Sequence, residues 1–70
     1  MYLSEYVLAQ QDREDSVGDL ARDAAADPDW PHQATAQALS HYMAFWGAGE
    51  QAFVALQQAA REHRKQELDG

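Results

Sequence analysis

The sequence predicts a single all-α domain built as a bundle of four helices. Seventy residues suffice for one small core. Apolar side chains recur at three- and four-residue spacings, which is typical of amphipathic helices, and no stretch shows the alternation of a strand. Helix start and stop signals divide the chain into four segments. We expect helices at about residues 4–11, 16–26, 35–46 and 50–66, in a domain of residues 1–66 followed by a frayed tail at 67–70.

The first predicted helix, residues 4–11, begins at Ser4, whose hydroxyl is a good N-cap group. Leu3, Tyr6 and Val7 then share one apolar face. Polar residues from Gln11 onward end the apolar pattern, so we expect a turn before the second helix.

The second predicted helix starts at Ser16, which together with Asp19 resembles a capping box. Gly18 lies in the first turn, where a close approach by another part of the backbone would explain a residue without a side chain. The helix ends before Pro28, since a proline disfavours helical geometry in the residue ahead of it. Its predicted inward face consists of Val17, Leu20, Ala21 and Ala24.

A loop with two prolines leads to the third predicted helix, residues 35–46. Trp30 lies between the prolines and should close one end of the core. Thr35 is the expected N-cap, and Gly47 is well placed to end the helix in a left-handed conformation. The predicted apolar stripe of this helix is Ala38, Leu39, Tyr42, Met43 and Trp46.

Three residues, Gly47 to Gly49, allow only a tight turn, so the third and fourth helices should be neighbours. The inner stripe of the fourth helix should contain Phe53, Leu56, Ala59, Ala60 and His63. His63 is expected to be a half-buried packing residue. The basic residues Arg61, Arg64 and Lys65 suit the helix C-terminus and could pair with Glu62 and Glu67, with a weak phosphate-binding patch as the alternative.

The segment before and within the second helix carries a family resemblance. It resembles the pattern R-x-D-[PS]-[IV]-G-D-L-A-x-D of the YozE family of small bacterial proteins, followed in that family by an aromatic residue and a proline. Here the matching residues are Arg13, Asp15, Ser16, Val17, Gly18, Asp19, Leu20, Ala21, Asp23, Trp30 and Pro31. The resemblance implies a fold similar to the sterile alpha motif (SAM), with two helical hairpins in an orthogonal bundle. SAM-like folds bind proteins in some families and nucleic acids in others, so the fold alone does not choose a function.

Composition narrows the function classes. Twelve acidic and five basic residues give a net charge of −7, which repels phosphate backbones and makes nucleic acid a poor partner. No apolar run is long enough to cross a membrane, and the N-terminus lacks the features of a signal peptide. The chain has no cysteine, which is compatible with a reducing compartment. We expect a cytoplasmic protein with no membrane contact.

Catalytic and metal-binding patterns are absent from the sequence. No serine lies in a nucleophile elbow, no glycine-rich phosphate loop follows a strand, and His32, His41 and His63 have no metal-ligand spacing. We therefore expect no enzyme activity, no cofactor and no metal.

One candidate binding surface is acidic. Asp19, Asp23 and Asp27 are spaced four residues apart and should share a face of the second helix. This face is either solvated, with Arg13 or Arg22 as a counter-ion, or a docking face for a basic partner. Asp19 also has a structural alternative, in which it accepts backbone N–H groups at the helix start or pairs with Arg13.

The other candidate surface is aromatic. Tyr42, Phe45 and Trp46 crowd the end of the third helix and cannot all point inward, because Phe45 and Trp46 differ by about 100° around the helix. They either pack at the edge of the fourth helix or form a hot spot for a partner or for self-association.

These observations predict a small binding module that acts on a protein partner through Asp19, Asp23, Asp27, Phe45 and Trp46. Two alternatives remain open at this point. One is a SAM-like nucleic-acid-binding domain. The other is an acidic mimic of nucleic acid that inhibits a nucleic-acid-binding enzyme, of the kind encoded by a phage or mobile element.

Overall fold

Helices form the framework of the chain in the computed structural model, which describes residues 1–69. Within that range there are four helices and no strand, in the predicted order. The last helix continues three residues beyond its predicted end, through part of the tail expected at 67–70; Gly70 lies outside the described residues. The helices are α1 (Leu3–Leu8), α2 (Ser16–Ala26), α3 (Ala36–Phe45) and α4 (Glu50–Asp69).

Helix α1 neither begins nor ends as predicted: it starts at Leu3 and ends at Leu8, three residues before the expected end at residue 11. Its N-cap is Tyr2, whose N–H donates to the carboxylate of Glu5 at 3.3 Å, and Ser4 lies inside the helix. The Ser4 side chain is completely buried, and its hydroxyl oxygen accepts a hydrogen bond from the N–H of Ala34 at 2.9 Å. Ser4 therefore links α1 to the loop before α3, a tertiary role that its local sequence did not indicate.

Helix α2 occupies the predicted residues, but its cap is one residue earlier than expected. Asp15 has extended backbone geometry, and its carboxylate accepts the N–H of Gly18 at 3.0 Å. Ser16 is the first helical residue, so the predicted Ser16 cap is wrong. Both residue types are good caps, and the chain uses the one with the charged acceptor, which also interacts favourably with the helix dipole.

The expected close approach at Gly18 is confirmed. A Cβ atom built on Gly18 would lie 1.9 Å from the carbonyl oxygen of Arg13. The approaching backbone belongs to the turn that leads into α2. A residue with a side chain could fit only if that turn moved.

Helix α4 packs against each of the other three helices, and α1 also packs against α2 and α3. The predicted inward faces of α1 and α2 are buried, and Trp30 is buried in the core. The Nε1–H of Trp30 donates to the carbonyl oxygen of Ser4 at 3.3 Å. The core consists of Leu3, Tyr6, Val7, Val17, Leu20, Ala21, Ala24, Trp30, Ala34, Leu39, Met43, Ala55, Leu56 and Ala59.

Fewer residues of helix α3 are buried than its predicted apolar stripe contains. Leu39 and Met43 are buried, whereas Ala38 and Trp46 are exposed, so two of the five stripe positions were assigned wrongly. The hydroxyl of Thr35 accepts the N–H of Ala38 at 3.3 Å, which confirms the predicted cap. The fold thus uses a narrow face of α3 and leaves most of its surface open.

The turn between α3 and α4 forms as predicted. Gly47 has a φ of 80°, its N–H donates to the carbonyl of Ala44, and the next N–H, of Ala48, donates to Met43. This pattern is a Schellman motif, which reverses the chain direction at a helix end. As a consequence α3 and α4 pack against each other.

Helices α2 and α3 have no comparable contact with each other in the described range. The loop of residues 27–35 connects them, and the end of α3 stands away from α2. None of the helices within residues 1–69 is long and apolar enough to cross a membrane.

Candidate functional site

The space between α2 and the end of α3 is a surface groove, here called the α2–α3 groove. It encloses a volume of about 330 Å³. It exists because the two helices do not pack together. Its lining residues are Leu20, Asp23, Ala24, Asp27, Trp30 and Trp46.

The apolar part of the α2–α3 groove is continuous with the core. Leu20 and Ala24 lie on the buried face of α2, and each is 3% exposed. Trp30 is equally buried, and its ring meets the ring of Tyr42 edge-on, with centroids 6.0 Å apart. These residues belong to the core cluster, so the apolar part of the groove is the outer edge of the core.

Asp27 is held in place at the end of α2. The Tyr42 hydroxyl donates to one of its carboxylate oxygens, and the N–H of Asp29 donates to the other at 2.9 Å. The hydrogen bond to Asp27 raises the pKa of Tyr42 to about 12, so the phenol keeps its proton. Each carboxylate oxygen of Asp27 still has room for a further donor.

Asp23 lies one turn before Asp27 and is exposed. Its carboxylate has no hydrogen bond or ion pair with any residue in the range 1–69. Asp23 and Asp27 line the same groove, so the structure brings together two of the three predicted carboxylates.

Asp19 does not line the groove. Its carboxylate pairs with the guanidinium of Arg22 at 2.5 Å. Arg22 also donates to the backbone carbonyls of Gln11 and Arg13, at 2.7 and 2.9 Å. Of the alternatives left open for Asp19, the pairing with Arg13 does not occur and the Arg22 counter-ion does. Arg22 itself holds the turn before α2.

The two predicted aromatic residues differ in exposure. Phe45 is 91% exposed, so it does not pack against the edge of α4. Trp46, at the C-cap of α3, is 46% exposed and forms one wall of the groove. Of the five candidate residues, Asp23, Asp27 and Trp46 line the groove, Phe45 adjoins it in sequence, and Asp19 lies outside its lining.

A second polar cluster links the turn before α2 to α4. The Arg13 guanidinium donates to Glu62 at 2.6 and 3.0 Å, and the Tyr6 hydroxyl donates to the same carboxylate at 2.9 Å. The hydrogen bond from Arg13 is the main cause that lowers the pKa of Glu62 to about 2. Glu62 therefore does not pair with Arg61, Arg64 or Lys65 as predicted.

His63 is half-buried, as predicted, and packs on the ring of Tyr6 with centroids 5.5 Å apart. Its Nε2 lies 2.8 Å from the Met1 carbonyl oxygen and 3.0 Å from a carboxylate oxygen of Glu67. Among the described residues, no group of three or more His, Cys, Asp or Glu side chains is arranged to hold a metal ion.

Sequence reasoning missed Leu20, Ala24 and Trp30 as groove residues. All three were predicted as core, and they are buried. Their outer edges form a groove because α3 does not cover them. The local sequence does not predict that two helices leave each other unpacked, because this depends on the angles between the helices.

The fold and the groove define a small all-helical protein with an apolar and acidic recess between α2 and the end of α3. The chain belongs to the YozE family with a SAM-like fold, whose family model matches residues 4–65. This confirms the resemblance seen in the sequence and the SAM-like bundle of four helices. The family is not a known enzyme family. No curated protein and no solved structure shows significant similarity to the chain.

Proposed function

We propose that this protein is a non-catalytic binding module that holds a protein partner at the α2–α3 groove and the adjoining Phe45 side chain. One observation carries the proposal. Phe45 is 91% exposed, and Trp46, the next residue in the sequence, is itself nearly half exposed and forms one wall of an apolar groove.

The fold does not require this aromatic surface. Transferring a phenylalanine side chain from water into a protein interface is worth about 1.5–3 kcal/mol, and aromatic residues dominate binding energy at protein interfaces. Phe45 contributes none of this to the core. A partner that covers Phe45 and Trp46 would gain it.

Charge favours a protein partner over a nucleic acid. The chain has a net charge of −7, and two carboxylates line the groove itself. Phosphate groups would be repelled there. Arg61, Arg64 and Lys65 are exposed on α4, but three basic residues give only weak, salt-dependent phosphate binding.

The chemistry of the groove supports a binding role without catalysis. Its lining has no histidine, serine, threonine or lysine in the described structure. The carboxylate of Asp27 accepts a hydrogen bond from the Tyr42 hydroxyl, whereas the carboxylate of Asp23 is exposed and has no hydrogen bond within residues 1–69. Nothing in this set serves as an activated nucleophile.

Site-specific photo-crosslinking in the native host tests the proposal. Replacing Phe45 with p-benzoylphenylalanine puts a photoreactive group at an exposed position next in sequence to the groove residue Trp46. We expect a discrete adduct with one protein, identified by mass spectrometry. The matched control has the same group at Leu68, which is 80% exposed near the end of α4. Adding Trp46→Ala to the first variant should reduce the adduct.

The proposal fails if position 45 gives no adduct above the level at position 68. It also fails if the adduct at position 45 contains only nucleic acid.

A further inference from the structure

The groove also indicates which chemistry the partner presents. Building on the proposed function, we propose that the partner inserts an arginine side chain, flanked by apolar residues, into the α2–α3 groove. The basis is charge complementarity: two carboxylates, an exposed indole and the outer edge of the apolar core meet in one recess.

The carboxylates supply the charge complement. Asp23 is exposed and has no ionic partner among residues 1–69, and Asp27 is fixed with acceptor capacity to spare. The basic residue nearest in sequence, Arg22, is bound to Asp19 and to two backbone carbonyls. Arg22 therefore does not neutralise Asp23 or Asp27, and a cationic side chain of the partner can pair with these two carboxylates.

The apolar lining favours arginine over lysine. Trp46, 46% exposed at the wall, supplies most of the apolar contact for an alkyl stem, and Leu20 and Ala24 add only their outer edges. A guanidinium is planar and weakly hydrated, stacks on aromatic rings and forms forked hydrogen bonds to carboxylates. An ammonium group keeps its water more strongly and does not stack in this way.

The size of the groove limits what enters it. Its volume of about 330 Å³ is at the lower end of the range of small-molecule pockets, roughly 300–1,000 Å³. It can take one long side chain with its immediate neighbours, but not a whole helix. The remaining partner contacts would then fall on exposed Phe45.

The test uses two short peptides and the purified full chain. The first is acetyl-Leu-Arg-Leu-amide, and the second has citrulline, the neutral isostere of arginine, at the central position. Binding is followed in ¹⁵N-labelled protein by the indole N–H signals of Trp46 and Trp30. We expect saturable shifts of the Trp46 signal, with the arginine peptide binding about threefold to fivefold more tightly at low salt.

Two matched variants locate the charge effect. Asp23→Asn removes one groove carboxylate, and Glu14→Gln removes the same charge from an exposed position outside the groove lining. We expect Asp23→Asn to remove most of the preference for arginine over citrulline, and Glu14→Gln to retain it. A well-dispersed ¹⁵N spectrum of each variant shows that it is folded.

Equal binding of the two peptides would overturn the arginine proposal, as would shifts that spare Trp46. The absence of any saturable shift would also overturn it. Concentration-dependent shifts of the Trp30 indole signal without peptide, abolished by Trp46→Ala, would identify a second copy of the chain as the occupant and overturn it too. None of these peptide results bears on whether a specific crosslink forms at position 45, so the proposed function is tested independently of the arginine proposal.

Discussion

The guanidinium of Arg13 donates two hydrogen bonds to the carboxylate of Glu62, at 2.6 and 3.0 Å, although the residues are 49 positions apart. Arg13 lies in the turn before α2, and Glu62 lies on α4. The same guanidinium donates to Asp15, the cap of α2, at 2.6 Å. One side chain therefore fixes the start of α2 against the longest helix of the bundle.

Replacing Arg13 with lysine should destabilise the fold although the charge is kept. A lysine cannot make the forked contact with Glu62 and reach Asp15 at the same time. Because the Arg13 and Glu62 side chains are 28% and 30% exposed, we expect a loss of about 1–2 kcal/mol in the free energy of unfolding. Urea denaturation of Arg13→Lys measures this, with Arg64→Lys as the control at an exposed position. Equal stability of the two variants would show that the forked geometry is irrelevant.

The pairing also predicts how stability depends on pH. Hydrogen bonding from Arg13 lowers the pKa of Glu62 from 4.5 to about 2 in the folded protein. A carboxyl whose pKa is lower in the folded state stabilises the fold above its unfolded pKa and loses this contribution as the pH falls. The contribution of Glu62 is therefore complete above about pH 4.5 and disappears towards pH 2.

Glu62→Gln tests this dependence. The variant should be less stable than the wild type at neutral pH, and its stability should fall less steeply between pH 4.5 and 2. Denaturation midpoints measured across this range give both quantities. Glu14→Gln, at an exposed position, should keep the wild-type slope. If the stability of wild type and of Glu62→Gln fell in parallel with pH, Glu62 would not be the group responsible for the loss of stability in acid.

The features that the sequence predicted well are local. The end of α2 before Pro28, the reversal at Gly47 and the close approach at Gly18 each follow from the backbone chemistry of one or two residues. The inward face of α2 follows from helical periodicity, and the family pattern lies in the same region.

The contacts that the sequence did not predict are long-range. Ser4 was expected to cap a helix but binds the Ala34 backbone, and Glu62 was expected to pair within α4 but binds Arg13. The same holds for the α2–α3 groove. Its carboxylates and Trp46 were identified as candidates, but only the tertiary arrangement shows that Asp23 and Asp27 share a recess with Trp46 and that Asp19 is not part of its lining.

Gly18→Ala should be among the most damaging single substitutions in the chain. Its Cβ would lie 1.9 Å from the Arg13 carbonyl oxygen, a backbone atom that cannot move without shifting the turn. We expect a loss of about 3 kcal/mol or more, with weakened pairing of Arg13 as a further consequence. Gly49→Ala is the control, because nothing lies within 4 Å of a Cβ there, and its effect should stay below about 1 kcal/mol. Thermal unfolding compares the two, and similar effects would contradict the steric argument.

Ser4→Ala should destabilise the chain by about 1–3 kcal/mol, because it leaves the N–H of Ala34 without a hydrogen-bond acceptor in a buried position. The alanine fits the space, so the change tests the hydrogen bond rather than packing. Ser40→Ala is the matched control, since the Ser40 hydroxyl only donates to the carbonyl of Ala36 within its own helix. Amide hydrogen exchange at Ala34 should become faster in Ser4→Ala alone. An unchanged exchange rate there would show that another group replaces the hydroxyl.

Phe45→Ser should leave the free energy of unfolding within about 0.5 kcal/mol of the wild type, because the side chain is 91% exposed and contributes nothing to the core. Met43→Ala, two residues earlier and fully buried, should cost about 2–5 kcal/mol. Urea denaturation of both variants gives the comparison. If Phe45→Ser proved as damaging as Met43→Ala, Phe45 would belong to the scaffold and its exposure could not support a binding role. A neutral result would separate the aromatic surface of α3 from the residues that hold the fold.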